Sequence, residues 1–151
     1  MKSPRVSARA LILRGNSLLA IRAKDAHGEF FVLPGGGQNH GETLPEALLR
    51  ECREELGVEI EAGELCYVHD YIAERDEFCT EDCGAHQVDI IFRARILSGE
   101  PGWGSAPDTH QLGLQWLPLE ALSEYRFYPR ALRRWLTEPN HPIYLAFEEG
   151  L

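Results

Sequence analysis

From Gly36 to Val58 the chain reads G-G-Q-N-H-G-E-T-L-P-E-A-L-L-R-E-C-R-E-E-L-G-V. A glycine-rich loop runs directly into a helix whose last two turns crowd Glu51, Glu54 and Glu55 behind Arg50. The C-terminus of a helix carries about half a negative charge, so each carboxylate there is disfavoured by some tenths of a kcal/mol. Glu51 and Glu55 stand one turn apart, where like charges repel. Arg50 and Glu54 form an i,i+4 pair that offsets part of this, although Arg N-terminal to Glu is the weaker orientation. Such a helix is poorly written for its own stability. It is well written for holding a divalent cation, because Mg²⁺ and Mn²⁺ take hard oxygen ligands.

The ends of the helix are signalled as clearly. Thr43-Leu44-Pro45-Glu46 has the form of a capping box, in which Thr43 accepts from the Glu46 amide and the Glu46 side chain reaches back. Pro45 is tolerated because first-turn amides have no acceptor inside the helix. Gly57 suits the left-handed residue that stops it. Leu48, Cys52 and Leu56 recur every four residues and mark the buried stripe, which assigns Glu51, Glu54 and Glu55 to the accessible side. A charge run is usually a solvated face; the adjoining glycine loop and the ordered spacing argue against that reading here.

These residues resemble the signature of the Nudix hydrolases. The positions that carry the resemblance are Gly36, Glu42, Arg50, Glu51, Cys52, Glu54, Glu55, Gly57 and Val58, spread over about a sixth of the chain. The departure is Cys52, where a larger aliphatic residue is usual; facing the core, cysteine serves as a small hydrophobe. The resemblance implies an α/β fold, an α/β/α sandwich with a mixed β-sheet. It also implies a pyrophosphohydrolase that splits the diphosphate linkage of a nucleoside diphosphate joined to another moiety, such as a nucleoside triphosphate, ADP-ribose or a nucleotide sugar. Small size tilts the expectation toward a nucleoside triphosphate or a small nucleoside diphosphate derivative.

By the same resemblance, Glu51, Glu54 and Glu55 are metal ligands together with a glycine carbonyl, Gly36 or Gly37. Mg²⁺ is the implied cofactor, with Mn²⁺ as a substitute. Arg50 orients a signature glutamate, and Glu42 steadies the loop-helix unit. Glu51 is the first choice of general base, with Glu77, Glu81, Asp82 and Asp108 as loop candidates. The alternative is a catalytically silent nucleotide-binding or regulatory module on the same fold, which would normally have lost a signature carboxylate; none is lost. Family habit makes a homodimer plausible, and nothing in the residues decides it.

Length and charge agree with a single enzyme domain over residues 1–151. Net charge is 15 − 24 = −9, which argues against general nucleic-acid or anionic-membrane binding. No stretch approaches the roughly 20 apolar residues of a bilayer span. The N-terminus lacks an uninterrupted apolar core, so no signal peptide is read and a cytoplasmic location is expected. Cys52 and Cys66 read as buried thiols. Cys79 and Cys83 have some flavour of a zinc site but lack a second pair at tight spacing, which favours two reduced thiols in a polar loop.

The remaining pattern is strand-rich. Strands are expected at Val6–Leu13, Leu18–Arg22, Phe30–Leu33, Glu64–Ala73, His86–Leu97, Leu112–Leu117 and, at an edge, Ile143–Leu145. Gly15-Asn16 turns the first pair into a hairpin, and Lys24–Glu29 reads as a polar loop. In the His86–Leu97 strand, Val88, Ile90 and Phe92 alternate against Asp89 and Arg93. Short helices are expected at Pro118–Leu122 and Pro129–Thr137. Phe30, Tyr71 and Phe78 are candidates to stack on a base. Arg9, Arg22 and Arg75 are candidates to contact phosphate, Arg22 foremost.

Overall fold

The computed structural model describes residues 3–79, 83–102 and 111–147. Its strands are β1 (Arg5–Leu11), β2 (Leu13–Arg14), β3 (Ser17–Asp25), β4 (Gly28–Val32), β5 (Gly35–Gly37), β6 (Glu59–Ile72), β7 (His86–Ser98), β8 (Gln111–Pro118), β9 (Phe127–Tyr128) and β10 (Tyr144–Leu145). The helices are α1 (Leu44–Leu56) and the single turn α2 (Leu132–Trp135), with 3₁₀ turns at Ala73–Arg75 and Leu119–Glu124. One sheet runs β10-β6-β7-β1-β5. The other runs β2-β3-β4-β9, with β8 also paired to β3. Both sheets mix parallel and antiparallel pairs.

Two apolar clusters organise these layers, and β1 and β3 feed both. Ala8 and Ala10 of β1 and Leu19 and Ile21 of β3 pack with Leu48, Cys52 and Leu56 of α1. Leu11 of β1 and Leu18 and Ala20 of β3 pack with Leu122, Ala131 and Leu132 on the other side. Alternation along a strand sends successive side chains to opposite faces. The sheets are therefore covered by α1 on one side and by the Leu119–Trp135 segment on the other, the expected α/β/α arrangement. None of the described helices is long and apolar enough to cross a membrane.

The helix α1 begins and ends where its caps place it. Thr43 Oγ1 accepts from the Glu46 amide at 3.3 Å, and Gly57 takes the left-handed conformation at φ 66°. Six expectations need correction. Lys24–Glu29 is mostly strand, because β3 and β4 continue until only Ala26 and His27 separate them. The glycines 35–37 form a strand against β1; at Gly35 a Cβ would collide with the Ala8 backbone. Glu55 is buried rather than accessible. It lies three residues after Cys52, about 60° around the helix from it, and so belongs to the edge of the apolar stripe. Cys79 and Cys83 are joined in a disulfide rather than free, their Cα atoms 5.8 Å apart. The Pro129–Thr137 helix shortens to one turn, and the Pro118–Leu122 helix is 3₁₀.

Candidate active site

Arg50 organises the acidic helix. Its Nε and Nη2 donate to both oxygens of Glu42 at 2.8 and 3.0 Å, a planar two-point pairing that a lysine cannot reproduce. Nη1 donates to Glu51 Oε1 at 2.8 Å, and Nη2 also donates to the Gly37 carbonyl at 2.9 Å. The pair with Glu54 is the longest of these contacts, at 3.5 Å. The Arg50 guanidinium, helped by the Asn39 amide, holds the Glu42 carboxyl down to about 2. Glu42 in turn raises Arg50 above the ordinary arginine range. The glycine loop and the helix are thus tied by one charged fork, with Glu42 and Gly37 in supporting places.

Glu55 sits deeper than its neighbours, with 4% of its surface exposed. Its Oε1 accepts from the Gly35 amide at 2.7 Å and its Oε2 from Gln111 Nε2 at 2.6 Å. Burial pushes its carboxyl up, and the Gly35 amide and nearby Arg9 only partly counter this. Gly36 lies directly beneath Glu51: a Cβ there would stand 2.5 Å from the Glu51 carboxyl carbon. Gly37 gives its carbonyl to Arg50, and Gly36 pairs with Ala8 of β1 in the antiparallel ladder. Three carboxylates, a bare backbone position and no soft ligand form a donor set suited to a hard divalent cation. Glu51 is turned toward Arg50 and Glu55 toward Gly35, so among the described residues no group of three metal-ligating side chains converges.

A cleft of about 660 Å³ opens between the two sheets. Phe30 of β4, Tyr71 of β6, Phe78 and Tyr128 of β9 line it, so Phe30, Tyr71 and Phe78 are brought together as the sequence suggested. Arg126 crosses the cleft wall. Asp25 holds it through two hydrogen bonds of 2.8 and 2.6 Å, and its guanidinium lies 4.3 Å from the Phe78 ring centre. Ion pairing with Arg126 keeps Asp25 below the ordinary carboxylate range.

Arg9 connects this cleft to the glycine loop. It lines the cleft, donates to the Leu33 and Gly35 carbonyls at 3.2 and 3.1 Å, and approaches Asp89 at 3.4 Å. Gly35 is the residue whose amide holds Glu55, so one backbone unit joins the two sites.

Other candidates fall elsewhere. Arg22 is not among the cleft-lining residues; it points from β3 to an exposed ion pair with Glu29 at 3.2 Å. Arg75 does not line the cleft either. Glu77 pairs with Arg130 at 3.2 Å. Glu81, Asp82 and Asp108 lie outside the described residues. Sequence reasoning missed Arg126, Tyr128, His69 and Asp89. Tyr128 sits on a two-residue strand too short to show a period, and Arg126 directly precedes that strand. Asp89 was placed on a polar face, yet it is buried, because that face of β7 turns toward the other sheet.

Residues 3–137 match the NUDIX domain family. The chain is 32% identical over 98 residues to an ADP-ribose pyrophosphatase of Methanocaldococcus jannaschii, a match covering 64% of this chain and 54% of that protein. It therefore spans about half the length of that relative. Among solved structures, a MutT NUDIX hydrolase from Burkholderia pseudomallei is 32% identical with a TM-score of 0.64, over 79% of this chain and 86% of that one. An ADP-ribose pyrophosphatase from Streptococcus suis shares the fold at 18% identity and a TM-score of 0.60, over 97% of this chain and 100% of that one. With the signature loop and helix built as described, the chain belongs to the NUDIX family.

Proposed function

We propose that this protein is a metal-dependent pyrophosphohydrolase that cleaves the diphosphate linkage of a nucleoside diphosphate joined to another group. The observation that carries the reading is the Gly35 junction. There a buried carboxylate, Glu55, and the cleft-lining Arg9 meet on one residue of the glycine loop. That junction lies between an aromatic cleft and a set of carboxylate and carbonyl oxygens, which supports a reading in which nucleoside and diphosphate bind side by side. The names of the relatives, pyrophosphatase and hydrolase, support the same reaction class.

Glu51, Glu54, Glu55 and the Gly36 carbonyl are the residues that would hold Mg²⁺, or Mn²⁺ in its place. Bound there, the cation supplies neutralisation of the diphosphate charge and lowers the pKa of water beside it. Reaching that arrangement requires side-chain rotation on a helix whose backbone is already capped at both ends.

The chain's own residues perform the rest. The cleft holds the nucleoside, with Phe30, Tyr71 and Phe78 as apolar contacts, while Arg9 lies beside the glycine loop where the phosphates would pass. Glu51 takes a proton from the attacking water as that water forms a bond to phosphorus. The bridging P–O bond breaks, giving two phosphate-terminated products and one released proton. Little covalent work falls to the protein, so positioning and charge carry the rate. Arg50 and Glu42 act as positioning residues that hold Glu51 and the loop.

The test is a Mg²⁺-dependent hydrolysis screen over nucleoside triphosphates, ADP-ribose, nucleotide sugars and dinucleoside polyphosphates, reading phosphate and nucleotide products separately. Turnover that requires metal and disappears in Glu51→Gln is the expected result. Turnover that persists without any divalent ion overturns the proposal.

A further inference from the structure

One polar row in the cleft is used by neither the metal site nor the aromatic walls. On the face of the first sheet that looks across at the second, His69 of β6 stands opposite Asp89 of β7, which stands opposite Ser7 of β1. Gln87, two residues along β7, lies on the same face. His69, Gln87 and Asp89 all line the cleft.

Asp89 decides what its neighbours present. Its Oδ1 accepts from Ser7 Oγ, from Gln87 Nε2 at 2.7 Å and from Arg9 Nε at 3.4 Å. Burial alone would raise this carboxyl, but His69, Arg9, Ser7 and Gln87 outweigh it and hold the group down to about 2. Asp89 is therefore an anion that accepts and never donates at neutral pH. An amide facing it must offer its NH₂ end. That fixes the flip of Gln87 and leaves its Oε1, an acceptor, toward the cleft.

The same reasoning fixes His69, which is 3% exposed. Its Nδ1 is buried without a hydrogen-bond partner among the described residues, 3.6 Å from Asp89 Oδ2. In the neutral ring a neighbouring carboxylate favours the tautomer with the proton on Nδ1, which leaves Nε2 as a lone pair. Two acceptors with no donor among the described residues thus stand in a cleft walled by aromatic rings. An empty pair of this kind is costly to bury against anything but a donor.

We propose that Gln87 and His69 form a specificity edge that reads the exocyclic amino group of the substrate's base, favouring adenine- and cytosine-type nucleotides over their deaminated counterparts. An amino group carries two in-plane hydrogens, one for each acceptor. The carbonyl that replaces it in hypoxanthine or uracil turns an acceptor toward two acceptors and is rejected. This inference rests on the reading that the cleft takes the nucleoside.

The experiment uses the full chain and four products of the proposed reaction: AMP, IMP, CMP and UMP, titrated by calorimetry without turnover. AMP should bind roughly 10- to 100-fold more tightly than IMP, and CMP than UMP, by the same factor. Gln87→Leu and, separately, His69→Phe should each bring the AMP/IMP ratio to within about threefold, while Gln87→Asn retains part of it. Phe78→Ala should weaken all four ligands together and leave the ratios unchanged. If Phe78→Ala weakens every ligand but the wild-type ratios are near one, the specificity edge is wrong and the cleft assignment stands. If no ligand binds, or Phe78→Ala changes nothing, the cleft assignment fails and the edge with it. Either His69→Phe or Gln87→Leu retaining the full ratio in a folded protein also overturns the proposal.

Discussion

The acidic helix and the inter-sheet cleft are built in opposite ways. The helix site is contiguous: Gly36, Glu42, Arg50, Glu51, Glu54 and Glu55 lie within twenty residues, and one guanidinium ties most of them together. The cleft is assembled from β1, β3, β4, β6, β7 and β9 and the segments beside them, with contributions from positions 9 to 129. In the first, local spacing sets the chemistry. In the second, strand register does. On the proposed reading, the reaction depends on a short segment and selectivity on residues dispersed over the sheets, so the two should fail differently when altered.

The largest effects belong to the helix. Glu51→Gln, Glu54→Gln and Glu55→Gln are each expected to lower kcat by roughly 10²- to 10⁴-fold. Circular dichroism melts should stay near wild type. Wild-type kcat in all three variants would break the division between the two regions. Arg50→Lys keeps the charge but loses the fork, and a drop of about 10- to 100-fold in activity or metal affinity is expected. Recovery of wild-type rates by lysine would show that the charge alone suffices.

Cleft changes should appear in KM. Phe78→Ala removes the ring stacked on Arg126, and KM should rise roughly tenfold with kcat within about threefold. A fall in kcat with KM unchanged would place Phe78 with the chemistry instead.

Two smaller effects are read through pH. Asp89 has a folded-state pKa below its ordinary value of 3.8, at about 2. Its contribution to stability is present above pH 4 and is lost as pH falls toward 2. It is worth on the order of 2 kcal/mol. Melting temperature against pH should show this acid slope in wild type and a flatter one in Asp89→Asn. Glu55 is displaced in the other direction, so its protonated form is the one the fold prefers. Its contribution is full below the ordinary carboxylate range and is lost as pH rises through the raised value. Metal-free Glu55→Gln should therefore melt slightly higher than wild type at pH 8 and converge with it near pH 4. Equal melts at pH 8 would show that Gly35 and Gln111 fully offset the burial.

Much of the helix site was legible because its signals are short-range. Thr43, Pro45 and Gly57 act on the turns next to them, and the caps form as the residues dictate. The error there was Glu55: a four-residue stripe is narrow, and only packing shows how far around the helix burial extends. The strands were legible in place and approximate in length. Lys24–Glu29 failed because polar residues can extend a hairpin whose pairing is set by the partner strand. Arg22 failed for a related reason. On β3 it meets Glu29 of the neighbouring strand, a contact fixed by register and invisible to spacing along one strand.

The sequence by itself determined the α/β class and the capped helix, and it is the ground on which the oxygen donors are proposed, since each rests on residues within a few positions of one another. Only the tertiary structure decided that Glu55 is buried against Gly35, that Cys79 and Cys83 pair, and that Phe30, Tyr71, Phe78 and Arg126 share a cleft. Those facts depend on which strands lie side by side and in what register. The energy that sets register is distributed over the two cores rather than carried by any residue that a linear reading could single out.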